Sequence, residues 1–277
     1  MITFSALLGK VDISNRNANR LQKLTAGTVI AFLYLPILIV IMLSFTPEKN
    51  PAFPMPGISF KWYRALVEDD AFVNAIWFSA KLAVATAFAS GFVGMLAGFG
   101  LDRGDFTGTP LDERKLRILF SLPIIIPFII TGIGGLVFFN FLNIYGSFPA
   151  LVIGHIMITL PFTTLVIASG LNGLDESVEE AAKNLGATQL RAYYEVTLPM
   201  IMPSVVAAML FAFILSFNNF IQTFFWLSFA DQTLPVLIYG LVRLTYDPTL
   251  NAVGTVLIVF SLALTITAER ISSRLLT

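Results

Sequence analysis

The sequence predicts an all-α, polytopic membrane protein with six transmembrane helices. Three observations support this. Of 277 residues, 56% are hydrophobic and only 12% are charged, against about 25% charged in a soluble globular protein. The apolar residues gather into runs long enough to cross a bilayer, which takes roughly 20 residues in a helix. Short loops rich in Pro, Gly and charge separate the runs, leaving no stretch for a separate soluble domain, so residues 1–277 are read as one transmembrane domain.

Residues 1–23 are mixed, with Lys10, Arg16, Arg20 and Lys23 against Asp12. Met1 to Leu8 is apolar enough to lie along a membrane surface, and reads equally as a frayed tail. Leu24 to Phe45 is the first span, with Pro36 inside it. It follows a polar segment and is long enough to anchor, unlike a cleaved leader. Residues 46–70 form a Pro-rich, acidic loop in which Trp62 and Tyr63 suit an interfacial helix. Ala71 to Leu101 is the second span, and its glycines favour close helix packing. Lys81 near its start can snorkel outward or line a path. A charged loop at 102–117 leads to the third span, Leu116 to Phe139, with Pro123 and Pro127. The fourth span, Phe148 to Leu171, holds His155, which reads as a neutral interhelical hydrogen-bonder before a proton carrier. Asn172 to Thr197 is a polar loop. The fifth span, Leu198 to about Leu227, is broken at Ser216-Phe217-Asn218-Asn219-Phe220. An outer segment at 228–247 precedes the sixth span, Pro248 to about Ala268, and a short tail.

Six spans put both termini on one side. Termini and even loops hold Lys10, Arg16, Arg20, Lys23, Arg103, Arg114, Lys115, Arg117, Lys183, Arg191, Arg270 and Arg274. The other side holds only Lys49, Lys61, Arg64, Lys81 and Arg243. The positive-inside rule therefore makes the termini, segment 1–23 and loop 172–197 cytoplasmic.

That loop is the most informative stretch. Ser177 is placed to cap a short helix, with Glu180 three residues on as a capping box requires. Ala181 and Ala182 let another surface approach the backbone closely, and Gly186 is placed to end the helix in a left-handed conformation. Thr188 can cap a second short helix from Gln189 to about Glu195. The product is a shaped knob between two spans. Two readings stand: a docking element, or an ordinary helical hairpin whose Glu180 merely caps.

The spacing favours the first. Glu180-Ala181-Ala182, then Gly186, then Val196, then Leu198-Pro199 resembles the loop signature of the membrane subunits of binding-protein-dependent ABC importers. The match covers about twenty residues, with Val where Ile is common, and Leu122-Pro123 with Pro127, and His155 with Pro161-Phe162, also look like that family. The resemblance implies a type I ABC importer permease fold in a bacterial inner membrane. It implies that Glu180, Ala181, Ala182, Gly186 and Leu190 form the coupling loop that docks on a separate ATPase. It further implies two ATPase subunits with ATP and Mg, a second and different permease subunit, and an extracytoplasmic solute-binding protein.

Asn218 and Asn219 lie mid-span, beside Phe217 and Phe220. Amides in hydrocarbon are costly without partners, and neighbours on a helix point about 100° apart. One can face a central path while the other bonds a neighbouring helix; polar glue and solute contact are equally good readings of either. The branch the chain resembles, the spermidine and putrescine permeases, commonly has Ser-Phe-Asp-Asp here. Ser216-Phe217-Asn218-Asn219 keeps the size and loses the negative charge, so a neutral, zwitterionic or anionic organic solute fits as well as a polyamine.

Other classes find less support. With a formal net charge of zero, no nucleic-acid partner is implied. There is no cysteine and one histidine, which leaves no thiolate or catalytic metal site. Gly9-Lys10 is followed by Val11, so no phosphate loop exists and ATP hydrolysis is expected on a partner chain. Two alternatives remain: an ion-coupled secondary transporter, which would usually show intramembrane carboxylates or inverted repeats, and a membrane enzyme such as a lipid-modifying transferase, which would need clustered polar catalytic groups at one interface.

Overall fold

The computed structural model describes residues 15–50, 54–104, 112–228, 231–244 and 247–275. The expectation for Met1–Leu8 lies outside the described residues. The described residues are helical, with no strand among them. They divide into two compact units, Met1–Tyr63 with Pro248–Thr255, and Arg64–Asp247 with Val256–Thr277.

In the first unit, α1 (Asn15–Leu43) contains the first span as Gln22–Leu43 and keeps Pro36 inside the helix. The loop after it closes on itself. The Trp62 indole donates to the Thr46 carbonyl at 2.6 Å, and the Tyr63 hydroxyl pairs with Ser44 Oγ at 2.7 Å. Trp62 is buried. The aromatic pair expected at the membrane interface thus fastens the loop, because each ring brings a polar tip that a buried backbone or hydroxyl can use.

The second unit is built on α3 (Asp70–Arg103), α6 (Phe148–Asn172) and α9 (Leu198–Phe217), which pack on one another. Lipid tails are as apolar as leucine, so close packing and interhelical hydrogen bonds must hold such helices together. The chain supplies both. Ala83, Ala87, Gly91, Gly94 and Gly98 lie buried along α3. A β-carbon at Gly94 would overlap the Thr163 side chain of α6. Beside it, Thr159 Oγ1 donates to Ser90 Oγ at 2.9 Å and Thr163 Oγ1 to the Ser90 carbonyl at 3.2 Å.

Three expected elements change shape. The third span is a broken pair, α4 (Glu113–Ile125) and α5 (Phe128–Phe141), bent by 97°. Pro127 forces Ile126 into an extended conformation (φ −74°, ψ 128°), because a residue before proline clashes when helical. The fifth span begins early. Helix α8 (Gln189–Ala192) runs through a π-helical turn, Tyr193–Thr197, straight into α9, so one helix spans Gln189–Phe217. Pro199 has no N–H for the Glu195 carbonyl, and the helix widens just before it. The outer segment holds a helix of its own, α11 (Leu234–Leu244). Among the described residues, four helices are long and apolar enough to cross a membrane, five with the bent pair. The sixth expected span falls in α12 (Thr249–Leu275), whose apolar part is the shorter Thr249–Ala263.

Candidate functional site

The polar loop folds as the expected knob, with a different cap. Helix α7 (Glu176–Asn184) is capped by Asp175, whose Oδ1 accepts from the Ser177 backbone N–H at 2.9 Å. The Ser177–Glu180 capping box does not form, since Ser177 already lies inside the helix. These bonds hold the Asp175 carboxyl below its ordinary pKa. At the other end Gly186 adopts φ +94°, and the Ala187 N–H reaches back to the Ala182 carbonyl at 3.1 Å. This is the left-handed helix stop expected from the glycine. Thr188 then caps α8, accepting from the Arg191 N–H at 3.3 Å.

Glu180 and Ala181 are exposed and Ala182 is half-buried. Leu185 and Leu190 are 90% and 78% exposed. The knob therefore presents a small, smooth helix flanked by two bare leucines. What fixes it to the rest of the unit is Glu179, buried and not singled out from the sequence. Its Oε1 lies 3.3 Å from Arg103 Nε at the end of α3 and accepts from Thr197 Oγ1 at 2.9 Å. A cleft of about 310 Å³ lies against these groups, lined by Asp102, Arg103, Glu180, Lys183 and Tyr193 among others. The repeated acid, Glu179-Glu180, was the available signal: two adjacent carboxylates on a helix cannot share one face.

The break in the fifth span is a second polar centre. Helix α9 stops at Phe217 and α10 (Ile221–Trp226) resumes after Asn218-Asn219-Phe220. Asn219 works as an internal cap. Its Oδ1 accepts from the Thr223 N–H at 3.2 Å and Oγ1 at 2.9 Å, while Nδ2 donates to Gln222 Oε1 at 2.7 Å. Gln222 passes the chain to Thr131 of α5 at 3.2 Å. His155 of α6 bridges the two halves, with Nδ1 2.7 Å from Ser216 Oγ and Nε2 3.0 Å from Thr223 Oγ1. Fully buried and doubly bonded, it holds helices together as expected. Trp226 seals this layer: its indole donates to the Gly132 carbonyl at 2.8 Å, edge-on to Phe139. Asn218 differs from its neighbour. It is exposed and makes a single side-chain bond, to the Ile214 carbonyl at 3.0 Å. Phe217 is buried against Phe213 and Phe260, and Phe220 stacks near Tyr239 at 4.5 Å. Of the expected path residues, Asn218 alone presents an exposed polar side chain.

A model of the family "binding-protein-dependent transport system inner membrane component" matches residues 111–277. The putrescine transport system permease protein PotI of Escherichia coli K12 is 33% identical over 82% of each chain. The spermidine/putrescine transport system permease protein PotC of the same strain is 32% identical, covering 88% of this chain and 90% of the relative. Among solved structures, the bacterial alginate ABC transporter matches with a TM-score of 0.71 at 17% identity, over 95% of this chain and 98% of that one. The MetNI methionine ABC transporter matches with a TM-score of 0.62 at 18% identity, over 79% and 99%. Against the ion-coupled alternative, these findings decide the class: the chain belongs to the binding-protein-dependent transport system inner membrane components and is a multi-pass permease subunit of an ABC importer.

Proposed function

We propose that this permease forms half of the import path for a small organic solute, beside a second and different permease. Its Glu180–Gly186 loop docks on one of two ATPase subunits that bind ATP and Mg, and an extracytoplasmic binding protein delivers the solute. Both termini and the loop face the cytoplasm, on the twelve-to-five distribution of basic residues above. The docking reading rests on one observation: Glu180, Ala181 and Leu190 stand exposed on a knob whose ends are fixed by Asp175 and Gly186. Ala182→Asp and Leu190→Asp test it. Leu190 is at the surface, so its substitution leaves the fold in place. Each variant should weaken co-purification of the ATPase by about thirtyfold, as expected for losing an interface anchor. Wild-type recovery of the ATPase with both variants refutes the docking.

The relatives' names speak of putrescine and spermidine. Here the path residue Asn218 is a neutral amide, and its neighbour Asn219 is committed to internal bonds. A cleft of about 900 Å³ on α3 is lined by Lys81 together with Asn74, Trp77, Phe148 and Asp231, and the Lys81 ammonium rests 4.9 Å above the Phe148 ring. A polycation meets no counter-charge at Asn218, and in the cleft the like charge of Lys81 stands beside the carboxylate of Asp231. A neutral, zwitterionic or anionic solute therefore fits at least as well as a polyamine. The cognate binding protein, screened by thermal shift, should respond to such solutes. A response to putrescine and spermidine alone refutes the assignment.

A further inference from the structure

The link between Glu179, Arg103 and Thr197 joins three elements that are remote in sequence. Arg103 ends α3, Glu179 sits in the second turn of α7, and Thr197 closes the π turn that leads into α9. The Arg103 and Glu179 side chains are 12% and 7% exposed. Arg103 Nη1 also lies 2.8 Å from Asp102 Oδ2. Burying such a group of charges is expensive, and an apolar cluster of equal volume is often as stable. Its physical advantage is register: apolar surfaces slide on one another, whereas a buried ion pair with a shared hydroxyl has one good geometry.

The surroundings suit a joint. Below it, α7 is a short rigid rod capped at both ends. Beside it, Phe99 of α3 and Tyr193 of the π turn hold their rings 5.2 Å apart. Beyond it, a continuous helix runs from Gln189 to Phe217, so a shift at Thr197 reaches Asn218 at the far end of the same rod. The π turn places the Thr197 hydroxyl on the acid, and single π turns recur at functional positions in helices.

We propose that Arg103 and Glu179 are positioning residues for coupling. Through them, displacement of the knob moves α3 and α9 together, and without them the knob moves while the path does not. This rests on the docking of the ATPase on the knob and goes beyond it, because the link joins residues of this chain to one another.

The test uses the complete transporter in proteoliposomes with its binding protein, and reads ATP hydrolysed per solute imported. Glu179→Gln keeps the size and the acceptor for Thr197 while removing the charge. It should leave the ATPase bound and hydrolysing, with ATP consumed per solute rising by about tenfold, a typical coupling factor. Glu179→Asp, which keeps the carboxylate for Arg103 and Thr197, should hold the ratio nearer wild type than Glu179→Gln does. An unchanged ratio, including one where uptake and hydrolysis fall in proportion, overturns the proposal. So does loss of the ATPase from the Glu179→Gln complex, which would make the link a scaffold for docking. Ala182→Asp in the same preparation reports separately on the docking reading, which fails if that variant retains its ATPase.

Discussion

Asn218 and Asn219 are adjacent and chemically identical, yet the structure gives them different work, which leads to a sharp prediction. Asn219→Ala removes three side-chain hydrogen bonds, one to Gln222 and two to Thr223. At about 1 kcal/mol for each bond, the loss is about 3 kcal/mol. The network links α5, α6, α9 and α10, so the loss extends beyond the local turn. Asn218→Ala removes one bond from an exposed side chain, a loss of about 0.5–1 kcal/mol. The expected difference is thus about 2 kcal/mol or more in the order Asn219 over Asn218. Denaturant unfolding of each purified variant in the same detergent, followed by tryptophan fluorescence, measures it, because Trp226 sits in the affected layer. Transport should show the reverse ranking. Asn218→Ala should change the apparent affinity for solute while leaving the fold intact. Equal destabilisation by the two substitutions, or a larger loss at Asn218, would refute the division into a structural and a path-facing amide.

Other consequences can be checked singly. Trp226→Phe keeps an aromatic ring against Phe139 but loses the bond to Gly132 and part of the buried indole, so it should cost about 2–3 kcal/mol; Trp226→Ala empties the layer and should cost about 3–5 kcal/mol, both read by circular dichroism during denaturant unfolding. Gly186 has open space around its α-carbon and a φ of +94°, so Gly186→Ala should cost about 1–2 kcal/mol through backbone strain alone, and Gly186→Asn should cost less because asparagine tolerates that region; amide exchange of α7 reads both. The Asp175 carboxyl is held below its ordinary pKa by the Ser177 N–H. A lowered folded-state pKa gives stabilisation that is present above the unfolded value and is lost as pH falls through the folded one. The Ser177 amide should therefore lose its exchange protection on acidification below the ordinary carboxylate range, and the Asp175→Asn variant should show no such step.

Much of this protein is legible in one dimension. Spans, loops and their charge bias are properties of composition along the chain, because a bilayer selects on length and hydropathy of consecutive residues. The helix stop at Gly186 and the cap at Thr188 are local chemistry, decided within four residues. The family's loop signature around Glu180 is legible for the same reason. Local reasoning failed where two local rules competed. Ser177 and Asp175 both suit a cap, and the fold used the carboxylate. Pro127 and Pro123 both lie in the third span, and only Pro127 broke it, with Ile126 extended before it. What the tertiary structure alone decided are the partnerships across the chain. Arg103 meets Glu179 across 76 positions, His155 meets Ser216 across 61, and Trp226 meets Gly132 across 94. No periodicity specifies such pairs, since a polar residue in a span announces only that it needs a partner. Which partner it finds depends on how closely α3, α6 and α9 approach, and that is set by the small residues between them.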